Sequence, residues 1–236
     1  MPALPKPATL TETVTAELKS QIMGGALVPD ERYTAGQLAQ TLGVSRTPVR
    51  EALLELSRLG LVEIEKNRGV RILSSSPSTF IEIYQLRLML EVPLARRAVA
   101  LATAESVAEV DAAYASFSRA ADAGDTAALL RADRDFHDAL LRGADNRRAL
   151  DMLRQQRDLV LDTGVGTVPA SRSAAECFAD HADVYAAFKA GDQDALARAM
   201  GRHIVNTAQI LMRQEAGKRP EFGTVDTLAA LSWLVD

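Results

Sequence analysis

The chain has 236 residues, is 47% hydrophobic and carries a formal net charge of −4. It is long and apolar enough for one large domain or two small ones, each with a real core. The acidic balance excludes a uniformly basic nucleic-acid binder but leaves room for a local basic face. The single cysteine, Cys177, permits no internal disulfide and fits a reducing compartment. No apolar run reaches the roughly 18 residues a membrane helix needs. The opening MPALPKPATL lacks the apolar core of a signal peptide. The expectation is a cytoplasmic protein with no membrane partner.

Residues 1–9 are Pro-rich and read as a flexible tail. Thr11 to Met23 reads as a helix, with Val14, Leu18 and Ile22 on one face. Thr34 to Leu42 is a short helix, with Thr34 as N-cap and Gly43 as its stop. Ser45 caps the next helix, and Pro48 sits in its first turn, where a missing N–H costs little. That helix runs to about Leu59. Leu61–Ile64 and Val70–Leu73 read as two short strands, joined by the hairpin tip EKNRG with Gly69 as turn residue. Ser74 to Thr79, SSSPST, is a linker. From Phe80 the chain is rich in Ala and Leu with helical periodicity throughout. Breaks at Gly124, Gly143–Asn146, Gly164–Ala170 and Gly191 give about six helices. Residues 217–236 form a separate tail, with a possible short amphipathic helix from Thr227. The fold expected is mainly α: a winged helix-turn-helix over 10–73, a linker over 74–79 and an all-α bundle over 80–216.

The N-terminal segment carries a motif that suits DNA. Two helices joined through Gly43 make a helix-turn-helix, and the second begins SRTPVRE. Its N-terminal end can enter a major groove while the hairpin lies over a neighbouring groove or the backbone. Arg46 and Arg50 are four apart, on one face, and Arg is the residue best shaped for bidentate contacts to guanine or phosphate. Thr47 can reach a phosphate or a thymine methyl. Lys66, Arg68 and Arg71 charge the hairpin, and Gly69 lets its backbone approach closely. The bland alternative is a solvated basic helix, which the combination of helix, turn, SRTPVR and hairpin makes much less attractive.

The run LAQTLGVSRTPVREALLELSRLGLVE…NRG resembles the winged-helix domain of GntR-family transcriptional regulators, over roughly residues 12 to 73. The resemblance implies that Arg32, Ser45, Arg46, Thr47, Arg50, Arg68 and Gly69 hold operator DNA. One departure is VPDERY, where the family has Pro-Gly, so that Asp30 stands at the turn.

The three histidines, His137, His181 and His203, each fall on an apolar helical stripe, and Asp133 and His137 share a face at i and i+4. An inward carboxylate is expensive unless it is paired or bound to a cation. Three imidazoles and a carboxylate from three helices suit a first-row divalent metal. Four protein ligands close a tetrahedral zinc site, whereas a five- or six-coordinate ion keeps positions open. The alternative is three core histidines, each hydrogen-bonded within the bundle.

DRDFHDALL…ADNRRAL, DHADVYAAFKAGD and MGRHI resemble the helical effector domain of the FadR-type subfamily, the FCD domain, over about residues 80 to 214. The resemblance implies that Asp133, His137, His181 and His203 ligate the metal. Zinc is the favoured ion, with nickel, manganese and iron as alternatives. Arg87, inward on the first helix of this region, can take an effector carboxylate bidentately; a salt bridge to Glu91 is an equal reading. Arg134 and Asn146 are weaker effector candidates, the first more naturally solvent-facing and the second a natural helix cap. Cys177, four residues before His181, can reach the metal but reads more simply as a small core residue.

The function these residues imply is a ligand-responsive transcriptional regulator, a repressor as most such regulators are. It would act as a homodimer reading a palindromic double-stranded operator, with a metal and a small-molecule carboxylate effector in its helical domain. The competing readings are a metal-dependent hydrolase or lyase fused to a DNA-binding domain, and a regulator with a metal-free pocket.

Overall fold

A computed structural model describes residues 9–23, 26–28, 30–66, 68–73, 76–162 and 167–235. Most of the Pro-rich tail, Asn67 at the hairpin tip, Ser74 and Ser75 of the linker, and the Gly164 end of the third predicted break lie outside the described residues. The chain divides into two compact units, one of residues 1–75 with 158–164 and the other of residues 76–157 with 165–236.

The first unit runs α1 (Leu10–Met23), β1 (Arg32–Tyr33), α2 (Ala35–Leu42), α3 (Arg46–Arg58), β2 (Val62–Glu65) and β3 (Gly69–Ile72). Its helices enclose Leu18, Val49, Ala52 and Leu56, which with Ile72 of β3 are wholly buried. Each of the Leu, Val and Ile side chains among them stabilises the fold by about 1.5–3 kcal/mol. The start of α2 is fixed by a reciprocal capping box: Thr34 Oγ1 accepts from Gln37 N–H, and Gln37 Oε1 accepts from Thr34 N–H. Gly43 ends it in the left-handed region at φ 67.

The sheet has one strand more than the two expected. β1 pairs antiparallel with β3, placing Arg32 opposite Arg71 and Tyr33 opposite Val70, so the order is β1-β3-β2. A two-residue strand gives no alternation for periodicity to detect. The pairing dictates Gly69: a Cβ there would stand 2.3 Å from the Tyr33 carbonyl oxygen, and the residue has φ +95. Asp30, the departure from Pro-Gly, keeps the turn by adopting φ 63 itself, a region Asp visits more readily than most residues. Its N–H donates to Ile72 O at 2.9 Å.

The second unit contains α4 (Pro77–Ala100), α5 (Ala104–Ala123), α6 (Thr126–Arg142), α7 (Arg147–Asp162) as far as Arg157, α8 (Ala174–Ala179), α9 (Ala182–Ala190) and α10 (Gln193–Ala216). These are followed by a short 3-10 turn (Pro220–Thr224) and α11 (Thr227–Ser232). α4 begins three residues before the expected Phe80, because Ser76 Oγ accepts from Thr79 N–H and Pro77 occupies the first helical position. The seven α-helices described up to Ala216 compare with about six expected: the stretch from Phe80 to Gly124, expected without a break, divides at residues 101–103, where Thr103 caps α5, and the segment around His181 is two helices. In a continuous helix the Cys177 carbonyl would accept the His181 amide. Here it accepts the His181 ring Nδ1 at 2.9 Å, and the amide turns to Phe178 O.

α10 packs along α4, α6 packs on α4 and α5, α8 reaches α5 and α6, and α9 lies on α10. The tail packs on the same unit. Phe222 meets Phe80 edge-on at 5.5 Å, Gln85 Nε2 donates to Ala230 O, and Leu231 is fully buried.

Candidate metal centre and nucleic-acid interface

In the first unit, α3 is divided by burial. Pro48, Val49, Ala52, Leu53 and Leu56 are buried, whereas Ser45, Arg46, Thr47 and Arg50 are exposed. Ser45 sits at the N-cap with extended backbone, but its hydroxyl makes no cap hydrogen bond. The Arg46 guanidinium lies over Gly36 of α2, with Nε 3.4 Å from where a Cβ would be. Arg68 is exposed beside Gly69. The hairpin's other arginines are engaged. Arg32 holds Glu65 through two contacts, Nε at 2.8 Å and Nη2 at 3.2 Å. Arg71 binds Asp30 at 3.0 Å and contacts Glu63. The hairpin's net positive charge is therefore smaller than its arginine count implies.

In the second unit, the structure brings Asp133 and the three histidines together. The candidate ligand atoms of His137 (α6), His181 (between α8 and α9) and His203 (α10) lie within 4.8 Å of one another, all on buried residues. His137 Nε2 stands 3.1 Å from His181 Nε2, and Asp133 Oδ1 stands 3.0 Å from the same atom. Each imidazole turns its Nδ1 outward to an acceptor: His181 to Cys177 O at 2.9 Å, and His203 to Asp180 Oδ2 at 2.8 Å. His137 Nδ1 faces Glu91 Oε2 at 3.4 Å, without hydrogen-bond geometry. A proton on Nδ1 of His181 and of His203, directed to these acceptors, would leave the Nε2 lone pair of each free for a metal, the ligand-ready tautomer that such a partner selects.

The electrostatics agree. Burial, helped by the Arg157 charge, pushes the His137 imidazole down to about 3, and burial with the neighbouring His181 takes His203 down to about 4, so both are neutral at pH 7. Against burial that would raise it, the hydrogen-bond contact with His181, with the Arg157 charge behind it, holds the Asp133 carboxyl below the usual range. The imidazoles are buried and the Asp133 carboxylate beside them is partly exposed, a set of donors that a cation would draw together. The donor set fits a divalent transition ion, and the four residues can hold one.

Around this centre lies a set of charges that the sequence reading did not assemble. Glu91 of α4 is completely buried and is held by Arg87 at 2.8 Å and by Arg157 of α7. Against the cost of burial, those two guanidinium charges keep its carboxyl well below the usual range. Arg87, read from sequence as an effector anchor or a salt bridge, is thus in the salt bridge. Asp180 binds His203, Asn206 at 2.7 Å and Arg172 at 3.2 Å. Only the Arg87–Glu91 spacing was visible in the sequence; Asp180 looks like a loop acid, and Arg157 looks like one of several arginines on its helix. Arg134 is half-buried next to Asp133. Asn146 Oδ1 accepts from Ala149 N–H at 3.1 Å and caps α7. Cys177 is buried, and burial pushes its thiol up to about 12, so it stays protonated.

Comparison with known proteins decides the family. The model of the bacterial regulatory proteins, gntR family, matches residues 10–72, and that of the FCD domain matches residues 82–206, more than half the chain. The protein belongs to the GntR family and carries an FCD domain. It is 30% identical over 145 residues to the uncharacterized HTH-type transcriptional regulator YdhC of Bacillus subtilis (strain 168), covering 61% of this chain and 65% of YdhC. It is 29% identical over 171 residues to the "Probable D-xylose utilization operon transcriptional repressor" of Paenarthrobacter nicotinovorans, covering 71% of this chain and 74% of that one. The solved structure of E. coli McbR/YncC superposes with a TM-score of 0.64 at 25% identity, covering 89% of this chain and all 100% of that one. These families and relatives are transcriptional regulators, so the enzyme reading is set aside. Among the described residues no helix is long and apolar enough to cross a membrane.

Proposed function

We propose that this GntR-family regulator is a cytoplasmic homodimeric repressor whose helical domain binds a divalent metal, zinc in preference to nickel, manganese or iron, and a small carboxylate effector. The convergence of three Nε2 atoms and Asp133 within a buried space carries this reading. A metal held there supplies positive charge for a carboxylate, and Arg87 stands beside it through Glu91. Arg134 and Asn146 take lesser parts in effector binding. In the winged helix over 10–73, Ser45, Arg46, Thr47 and Arg50 face a major groove of a palindromic operator. Arg32, Arg68 and Gly69 follow the backbone. Effector binding favours one arrangement of the two DNA-binding heads, through the segment between β3 and α4, and so changes operator affinity.

The test is metal content by mass spectrometry on untagged protein purified without chelator, beside His203→Ala. About one ion per chain, lost in the variant, is expected. Absence of metal from both proteins would leave the histidines as the lining of a metal-free effector pocket and reject the metal reading.

A further inference from the structure

The three-stranded sheet has one apolar face and one charged face. Val62, Val70 and Ile72 point into the core. Register places Arg32 of β1 opposite Arg71 of β3, and Arg71 opposite Glu63 of β2, with Glu65 two residues further along. Residues so paired share a face, so all four side chains stand on the outer side. Asp30, in the turn before β1, joins them, and two arginines meet three carboxylates. Arg71 donates to Asp30 at 3.0 Å, contacts Glu63 and stands 3.5 Å from Glu65. Arg32 donates from Nε to Glu65 Oε2 at 2.8 Å and from Nη2 to Glu65 Oε1 at 3.2 Å. One edge of its guanidinium thus grips both oxygens of one carboxylate, the same fork that a backbone phosphate would take. Glu65 can lie over β3 because its partner in register there is Gly69, which has no side chain. The Arg32 side chain is 53% exposed, against 19% for Glu65, so the arginine is open to a passing duplex while its anion is built in.

We propose that Glu65 is a built-in competitor for the DNA backbone: it occupies the edge of Arg32 that would bind phosphate, and so lowers the affinity of this unit for duplex of any sequence. This rests on the reading above in which Arg32 follows the backbone. A phosphate that reaches Arg32 must displace the carboxylate or share the guanidinium with it. In both cases the contact adds less to the release of condensed counterions, which supplies essentially all non-specific affinity. Recognition is then left to the exposed Arg46, Thr47 and Arg50 of α3, with Lys66 and Arg68 exposed near the hairpin tip. A regulator held weakly by the backbone spends less time on the non-operator DNA that far outnumbers its site.

The experiment is fluorescence anisotropy of the full-length protein with a labelled duplex of mixed sequence, over a series of KCl concentrations. Glu65→Gln should bind roughly three- to ten-fold more tightly at low salt, and log K should fall more steeply with log salt by about one. Glu65→Asp keeps the charge but shortens the reach, and should raise affinity by a smaller factor. Arg32→Gln should weaken binding. In the double variant Arg32→Gln/Glu65→Gln the gain from Glu65→Gln should be mostly lost, because the two residues act as a pair. Equal or weaker binding by a Glu65→Gln of unchanged melting temperature overturns the proposal and makes Glu65 a support for Arg32. A gain undiminished in the double variant overturns it too, by showing that Glu65 acts only through its charge. Where Glu65→Gln fails to fold, Glu65→Asp decides, and equal or weaker binding by it overturns the proposal. These outcomes leave the backbone role of Arg32 standing. An Arg32→Gln with wild-type affinity and salt slope removes that role and this proposal together.

Discussion

At the scale of single residues, Asp180 illustrates how a side chain that would touch neither metal nor effector governs a site. It fixes the His203 ring by accepting from Nδ1 at 2.8 Å and is itself held by Asn206 and Arg172. Burial opposes its ionisation, yet the His203 hydrogen bond holds its carboxyl down at about 2. The acceptor therefore stays charged wherever the protein is folded near neutrality. Asp180→Ala should lower metal affinity by about 10–100-fold while leaving helix content unchanged; competition against a chromophoric chelator measures it, and an unaltered affinity would remove Asp180 from the assembly. In the other unit, Arg46→Ala and Arg50→Ala should each weaken operator binding by about 1–3 kcal/mol. Gel shifts on operator fragments selected from genomic DNA measure this, and unchanged affinity in both variants would displace α3 from the groove.

At the scale of elements, the two helices of the helix-turn-helix begin differently, and their first residues should answer substitution differently. Thr34 takes part in a full capping box on α2, with its hydroxyl accepting from Gln37 N–H at 3.2 Å. Thr34→Ala should cost about 1 kcal/mol of stability. Ser45 occupies the same position on α3 without a cap hydrogen bond. Ser45→Ala should change stability by under about 0.5 kcal/mol and register in DNA binding instead. Urea denaturation midpoints of the two variants separate these cases; equal losses would show that Ser45 caps α3 after all. The break between α8 and α9 is a second lesson at this scale. The His181 ring takes the carbonyl that its own amide would use, so placing the imidazole in the centre and interrupting the helix are one event.

At the scale of the whole molecule, the two units have separate cores, and the proposed metal centre belongs to the second. Stability contributed by a bound ion should therefore appear in the helical unit. At a free metal concentration of 100 times Kd, the gain is about 2.7 kcal/mol, which corresponds to roughly 5–10 °C for a unit of this size. Chelation should lower the melting transition of the helical unit by that amount, and added zinc should restore it. Differential scanning calorimetry measures this directly, and a transition indifferent to chelator would argue that the histidines hold the fold without an ion.

Much of this architecture is local and could be read from the chain. The capping residues around α2, the run SRTPVRE and the period of the long helices are decided within a few residues, because caps and amphipathic stripes act at i+3 and i+4. The pairing of Asp133 with His137 was visible for the same reason. What the chain could not show is everything that depends on residues far apart meeting. The two-residue β1 exists only because β3 lies beside it. Asp180 has a role only because α10 brings His203 to it. Glu91 becomes the hub of two arginines only when α7 delivers Arg157 across 66 positions of sequence. The sequence by itself determined most of the helices, the β2–β3 hairpin and which side chains face inward, through short-range hydrogen bonding and hydrophobic periodicity. Only the tertiary structure decided which inward charges share one buried space, since charge pairing in a core depends on distance in space and not along the chain.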